Sequence, residues 1–585
     1  MLKRTFPTIP SYNSLWNGGI EARDYFPTGM LNVFFLFSPI IYLFPLESSY
    51  NLIVASLIFI LLPICIYNGA RLAKIEPPVA AIASLLALTS SMLWYRWCLK
   101  YGALGFCTSS VLLALNIGFL IKLLDPEREF SKKEALFFVI SMFLMLLWSL
   151  TAVAILPLLV FSIFKIRSIW KKKYAKFIIF SLLTLYIPWA ATFVTVSNVG
   201  KFVVLNSYSD QHAHDKEAKL KTLKKDLNDP WSGKMEILAV RGDKRPFTIS
   251  EIVKHLREVT VMTNPLLLFL AFPGFWILKG RTKWIYLVSS TWLLILAVFI
   301  TPFKPQLELD RMYIIATFLL AIPTGASIWS LLNSKITSRR HAFIPACLLA
   351  ALLISIFSTT AIVHNRREEK YYFTDQNYFR LAKAISQNTE SGRALFAGFI
   401  LHELAYAHIA PLVFKSNTPI VASVPTHSVW WHAELMPSYF IEKDSKGREE
   451  YFDLMNATSI IAHEPSWISY FESEPLLYKR VWSKGTFVIY KRLKASNSFF
   501  LKGSGQILLQ DTKELSLIPD TSSLVLKFNY LPFLQTSSCN ISNHPLPGDL
   551  FFIELSNCIP GQKVTIKMLP AWQRVFNNFK QRLSL

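Results

Sequence analysis

The residues in this chain best suited to chemistry are acids, a histidine pair and arginines, set in polar stretches between apolar runs. The first group is Trp16-Asn-Gly-Gly-Ile-Glu-Ala-Arg-Asp-Tyr-Phe-Pro-Thr-Gly29, which holds Glu21 and Asp24 on either side of Arg23. A carboxylate at a membrane face can act as a general base toward a hydroxyl. Asp24 is the first candidate, because Tyr25-Phe26 can shield it from water and Arg23 can hold it ionised; Glu21 is the alternate. An acid that caps a turn or pairs with Arg23 would give the same pattern without chemistry.

The second group is Asp210-Gln-His-Ala-His-Asp215. His212, His214 and Asp215 are a candidate set for a divalent metal, the one cofactor the chain suggests, although His-x-His alone is a weak pattern. The Lys-rich stretch 216–225 that follows reads as a solvated helix face. The third group is Leu307-Glu-Leu-Asp-Arg-Met-Tyr313, which opens an apolar run. Arg311 falls there at headgroup depth, where a guanidinium can hold a lipid phosphate in a two-pronged contact. A snorkelling arginine that simply ends a helix fits the same position. Arg96 is a second basic residue expected on that side. The chain carries no P-loop, no dinucleotide glycine fingerprint, no nucleophile elbow and no CxxC pair.

The elements that must position these residues are membrane helices. A mean hydropathy of +0.36 with 14% aromatic residues marks a polytopic membrane protein. The formal net charge of +23 does not indicate nucleic acid. The excess Lys and Arg recur at helix ends, where they orient the chain and meet anionic headgroups, and no nucleic-acid-binding pattern accompanies them. Hydropathy predicts about ten spanning helices: Tyr50–Tyr67, Val79–Trp94, Leu104–Leu124, Ala135–Leu150, Ala152–Phe164, Phe177–Val196, Asn264–Leu278, Trp284–Ile300, Met312–Leu332 and Ala342–Val363. The run from Ala135 to Phe164 is long for one span and short for two; parity selects two.

The strongest basic loop, Lys165-Ile-Arg-Ser-Ile-Trp-Lys-Lys-Lys-Tyr-Ala-Lys176, fixes the orientation, because positive juxtamembrane loops stay cytoplasmic. Arg71 and Lys74, the loop Asp125–Glu134, Lys279–Lys283 and Lys335–Arg340 then also face inward. The N-terminal segment, the loop Asn198–Thr263 and the tail after His364 face outward, in the reading of a bacterial inner-membrane protein with extracytoplasmic C-terminal domains. The expected spans hold no acid or base at mid-membrane depth, which argues against an ion-coupled transporter. The apolar stretch Met30–Phe44 is short and broken by Pro39, so it reads as an interfacial or re-entrant helix. An outward N-terminus then lacks a preceding helix, and a first membrane helix missing from the chain would account for it.

The tail reads in two parts. Tyr378–Ile385 has a helical pattern. Strand patterns fall at Arg393–Phe399, Pro419–Val424 and Thr458–Ala462, with a hairpin around Lys484-Gly485, which together give an α/β domain. From about Ser498 the pattern is strand only, at Gln506–Gln510, Ser523–Tyr530, Leu550–Leu555 and Lys563–Met568, as in a β-sandwich. The expected domains are therefore residues 1–49, an outer loop with an interfacial helix; 50–363, transmembrane; 364–495, α/β; and 496–585, β-sandwich. Cys539 and Cys558 in the tail suit either a disulfide in an oxidising compartment or two buried thiols.

At these residues the chain resembles the GT-C superfamily of integral-membrane glycosyltransferases, and within it the bacterial membrane proteins known as 6-pyruvoyl-tetrahydropterin synthase-related, although nothing here is like a pterin enzyme. The matching pieces are Leu15-Trp-Asn-Gly-Gly, Tyr25-Phe-Pro-Thr-Gly-Met, Asn51, Asp310-Arg-Met-Tyr with Ala321-Ile-Pro-Thr-Gly, Gly392-Arg-Ala-Leu-Phe, Ser459-Ile-Ile-Ala-His and the final β-domain. The resemblance implies a polyprenyl-phosphate-linked sugar donor and a glycan, lipid or protein acceptor in the cell envelope. Such proteins usually begin with a membrane helix and an acid-bearing loop, and that helix is absent here. Glu21 and Asp24 then stand in for the acid, and Arg311 or Arg96 would stabilise the leaving phosphate. Two other readings compete: a non-catalytic envelope protein whose tail binds glycan or a partner, and a lipid or polysaccharide translocator.

Overall fold

The computed structural model describes residues 12–21, 30–88, 98, 103–148, 150–189, 249–262, 265–301, 309–333, 350, 375–397, 410–422, 436–441, 443–463, 465–485, 487–548, 550–570, 573–574 and 577. They divide into two compact units: a helical one holding the described residues from 30 to 350, and a second holding 12–21 with everything from 375 onward.

The helical unit contains α1 (Met30–Leu43), α2 (Leu46–Ser56), α3 (Leu62–Leu72), α4 (Pro77–Ala87), α5 (Leu104–Leu124), α6 (Lys132–Leu146), α7 (Leu150–Ala154), α8 (Leu156–Phe164), α9 (Ile166–Trp170), α10 (Ala175–Trp189), α11 (Ile249–Met262), α12 (Pro265–Ile277), α13 (Gly280–Ile295) and α14 (Met312–Asn333). A π-helical turn, Leu57–Leu61, joins α2 to α3, and another, Leu296–Ile300, extends α13. Four stretches among the described residues are long and apolar enough to cross a membrane: Ser48–Leu72, Leu104–Leu124, Gly280–Ile300 and Leu309–Asn333. Met30–Leu43, Pro77–Ala87, Ala175–Trp189 and Leu267–Ile277 are shorter apolar helices, and the whole is an integral membrane protein. The expected span Ala342–Val363 lies almost entirely outside the described residues.

The run expected to supply two spans, Ala135–Phe164, folds as α6, α7 and α8, with breaks after Leu146 and at Ile155. The chain turns after Leu146, where the Thr151 hydroxyl donates to the carbonyls of Met145 and Trp148, and Pro157 opens the last piece. Helix α5 is the centre of the unit, buried on nearly every face. It crosses α3 at Gly118 against Gly69, where a Cβ on Gly118 would collide with the facing backbone, so small residues permit the close approach. Helix α1 bends at Phe37 (φ −109°, ψ 16°), two residues before Pro39. Its first half is buried, whereas Tyr42 and Leu43 are exposed.

The basic loops converge on one face. Lys74 pairs with Asp125 at 3.1 Å, and Lys122 pairs with Glu134. Lys172 is buried and donates to the carbonyls of Arg128 (2.7 Å), Lys122 (3.3 Å) and Asp125. Arg128 donates to Leu72 O, Thr282 Oγ1 to Ala73 O at 3.2 Å, and Trp329 Nε1 to Glu76 Oε2 at 3.2 Å.

The second unit begins with β1 (Tyr12–Asn13) and β2 (Ile20–Glu21), a two-residue antiparallel pair. After α15 (Asp375–Asn388) come β3 (Arg393–Ala397), α16 (Ala410–Ser416), β4 (Ile420–Ala422), α17 (Ser438–Ile441), α18 (Asp444–Leu454), β5 (Ala457–Ala462), α19 (Pro465–Ser473), β6 (Tyr478–Lys484) and β7 (Phe487–Arg492). They build a five-stranded sheet in the order β4-β3-β5-β7-β6, whose first three strands are parallel. Leu381, Ile385 and Leu412 pack on one side of it, and Phe440, Phe452 and Phe471 belong to a second core.

Strands β8 (Phe500–Lys502), β9 (Gly505–Gln510), β10 (Leu515–Pro519), β11 (Leu524–Asn529), β12 (Leu534–Thr536), β13 (Asn540–Leu546), β14 (Leu550–Ser556) and β15 (Val564–Met568) complete the tail. They form two four-stranded antiparallel sheets, β12-β15-β10-β9 and β13-β14-β11-β8, around a core that includes Leu517, Leu526, Ile553 and Ile566. Cys539 and Cys558 are joined in a disulfide.

Candidate functional site

Arg311 closes the 3₁₀ turn Leu309–Arg311 that opens α14, a helix buried from Met312 through Ile328. Its guanidinium carbon lies 5.7 Å from the centre of the Phe106 ring, and Phe106 in turn packs on Trp148 with centroids 4.7 Å apart. Phe106 sits in the first turn of α5, while Lys122 and its ion pair sit in the last. Sixteen residues of α-helix separate them, about 24 Å, so Arg311 is at the end of the helical unit opposite the basic loops.

At the same end of α5, Asn32 of α1 is fully buried and donates to Gly105 O at 2.9 Å and to Ser109 Oγ at 2.8 Å. Its Oδ1, and the hydroxyl of buried Thr108, have no hydrogen-bond partner among the described residues. A buried amide oxygen of this kind normally finds a donor, so this end of α5 retains acceptor capacity. Asn32 was not singled out from the sequence, where its one signal is an amide inside an apolar helix. Phe106 gave no signal, being one of 45 phenylalanines.

The segment carrying Glu21 is built into the tail unit. Trp16 bridges in parallel to Ile420, Asn17 N donates to Ile420 O at 2.8 Å, and Asn17 Oδ1 accepts from Ala422 N at 2.7 Å. Asn529 clasps the following turn: its backbone N donates to Gly18 O at 2.7 Å, and its Nδ2 donates to Asn17 O (2.8 Å) and Gly19 O (3.0 Å). Gly19 has φ +114°, and a Cβ there would fall inside the Tyr12 phenol. The segment thus joins the α/β sheet to the β-sandwich, and Glu21 pairs through its backbone with Tyr12. The stretch expected as one outer-loop domain, 1–49, is divided, with 12–21 in the tail unit and α1 in the helical one. Asp24, Arg96, His212, His214 and Asp215 lie outside the described residues. Among the described residues, no group of three or more His, Cys, Asp or Glu is arranged to hold a metal.

Arg393, the first residue of β3, lies under this clasp and is fully buried. It donates to Met455 O at 2.7 Å and to Lys527 O at 2.8 Å, and it lies 4.6 Å from the Phe528 ring centre and 4.9 Å from that of Phe499. Burial draws its pKa down to about 10, so it stays charged at neutral pH. A polar cleft of about 340 Å³ elsewhere in the tail is lined by Asn388, Glu390, Thr458, Lys491, Arg492 and Asn497. Its charges are already paired, Lys491 with Glu390 at 2.5 Å and Arg492 with Glu449 at 2.7 Å, which marks a solvated seam rather than a binding site.

No protein-family model and no curated protein matches the chain. Among solved structures it is similar to the oligosaccharyltransferase AglB of Archaeoglobus fulgidus in complex with an inhibitory peptide and a dolichol-phosphate, with a TM-score of 0.43, 11% identity, and coverage of 81% of this chain and 65% of that one. The same oligosaccharyltransferase with zinc and sulfate gives a TM-score of 0.46 at 10% identity, over 96% and 69% of the two chains. The arabinofuranosyltransferase AftD from Mycobacteria gives 0.45 at 14% identity, over 85% and 37%. The chain is thus similar in structure, at low identity, to membrane glycosyltransferases, and it spans 65% of the first of them.

Proposed function

We propose that the chain is a membrane glycosyltransferase that moves a sugar from a polyprenyl-phosphate donor to an extracytoplasmic acceptor of the cell envelope. The observation that carries this reading is Arg311, half-buried on Phe106 at the end of the bundle opposite the basic loops. The donor phosphate binds there, with Arg96 as a second cation, and the developing charge on the leaving phosphate is stabilised by the guanidinium. Asp24, or Glu21 in its place, takes the proton from the acceptor hydroxyl as it attacks the anomeric carbon. The bond from that carbon to the phosphate oxygen breaks, and the lipid phosphate leaves. The tail presents the acceptor.

The test uses the purified chain with a polyprenyl-phosphate probe. Arg311→Ala should weaken binding by roughly 10–100-fold, the worth of a charge-assisted contact. Asp24→Asn should slow transfer and leave probe binding intact. Unchanged probe affinity in Arg311→Ala would leave that residue a helix-ending role. A second reading, a non-catalytic envelope protein, is favoured by the building of the Glu21 segment into the tail. Wild-type transfer in both Asp24→Asn and Glu21→Gln would remove these acids from the mechanism, and absence of transfer with every polyprenyl donor tried would favour the second reading.

A further inference from the structure

The chain has six cysteines, and Cys539 and Cys558 are joined in the tail. A second pair meets at the end of the helical unit opposite the basic loops. Cys107 lies in the first turn of α5, next to the Phe106 on which Arg311 rests, and its backbone N–H donates to Ala103 O at 3.1 Å. Its thiol is hydrogen-bonded to that of Cys98, and both cysteines lie near the Tyr50 phenol. The Tyr50 hydroxyl donates to Cys98 O, which ties the backbone at Cys98 to α2. Both cysteines are fully buried. Cys65, inside α3, is buried as well, and no second thiol lies against it among the described residues.

Two thiols in contact are a metal site, inert packing or the two halves of a disulfide. A metal needs further ligands, and among the described residues no group of three or more His, Cys, Asp or Glu supplies them. Compartment separates the other two. Basic loops mark the cytoplasmic face. Cys107 stands at the opposite end of α5 from Lys122, on the extracytoplasmic side, where thiols that touch are oxidised.

We infer that Cys98 and Cys107 are joined in a second disulfide, which fastens the segment at Cys98 to the head of α5. Two S–H bonds break and one S–S bond forms. The two electrons and two protons pass to the disulfide of an exported thiol oxidase, which leaves as a dithiol. From hydrogen-bonded contact, side-chain rotation brings the sulfurs to the bonding distance of about 2 Å. Because both sulfurs end enclosed, the bond closes before the bundle packs around it. The inference is independent of the glycosyltransferase reading and rests on the orientation set by the basic loops.

The test is thiol trapping on the full chain, made in cells with an intact export oxidase. The chain is denatured without reductant in N-ethylmaleimide, digested with trypsin and read by mass spectrometry. Cleavage after Arg96 and Lys100 puts Cys98 and Cys107 on separate peptides, so only a disulfide holds them together. The joined peptides should appear, with alkylation at both positions roughly tenfold below that of Cys65. Cys539 and Cys558 are the internal reference for an oxidising milieu. Alkylation of Cys98 and Cys107 to the level of Cys65, with Cys539 and Cys558 protected, would overturn the disulfide. Alkylation of all four would overturn the compartment on which it rests. In Cys98→Ser, Cys107 should become fully alkylated; a Cys107 still protected would assign it a different partner and overturn the pair.

Discussion

Two arginines on aromatic rings, one in each unit, differ in how far the chain encloses them. Arg393 is fully buried in the tail, and two carbonyls and two rings consume its charge, so it serves architecture. Arg311 is half-buried at a helix end, on one ring. An ion enclosed by its own chain is held by the groups around it, whereas a partly exposed ion at a helix end is exchanged with solvent at little structural cost. Burial, rather than residue type, separates the two settings.

The largest effect that would break this contrast is expected from Arg393→Ala. It strands the carbonyls of Met455 and Lys527 and opens a void between Phe499 and Phe528. The tail should lose about 3–5 kcal/mol, read as a lowered urea midpoint for its protease resistance, with the helical unit unchanged. A midpoint within error of wild type would show that the clasp does not depend on this ion.

Gly19→Ala should be next, at roughly 2–3 kcal/mol, from a strained φ and a clash with the Tyr12 ring. Adding Tyr12→Ala removes the clash but not the strain, so the cycle should show partial relief beyond additivity. Strict additivity would mean that ring and glycine do not meet.

A smaller effect concerns Lys527, buried in β11, whose pKa burial pushes down to about 8 although Asp453 opposes the shift. The unfolded chain then binds more protons than the folded one above pH 8, so tail stability should rise as pH increases from 8 to 10. Above that range the buried Tyr12 and Tyr451, whose pKa values burial raises, oppose the trend. Lys527→Met should flatten the rise in urea midpoint, and an unaltered slope would reject the assignment.

The smallest effect sharpens the comparison from the other side. Arg311→Ala should cost the helical unit less than about 1 kcal/mol, as expected of a partly exposed cation. A thermal midpoint lowered as far as that of Arg393→Ala would make Arg311 structural too.

Much of this was legible before the fold was known. Period and apolar length located α5, α13 and α14, because a spanning helix must satisfy its backbone internally and leaves a long apolar signature. The parallel strands β3, β4 and β5 showed as short apolar runs, as did β14 and β15. Strand β13, Asn-Ile-Ser-Asn-His-Pro-Leu, was missed because it is polar and largely exposed, so alternation does not mark it. The division of Ala135–Phe164 into three pieces was missed because hydropathy counts length and not hydroxyl back-bonding or proline placement.

By itself the sequence determined that the chain carries long apolar helices followed by an α/β and then an all-strand tail, since each is written in local composition and period. Tertiary structure alone decided the rest. It brought Trp16-Asn-Gly-Gly, 404 and 510 residues from its partners at Ile420 and Asn529, into the tail as a clasp, and it buried Arg393 beneath it. It also set Asn32 of α1 against Gly105 and Ser109 at the start of α5. Contacts between distant segments depend on packing, which no local pattern encodes.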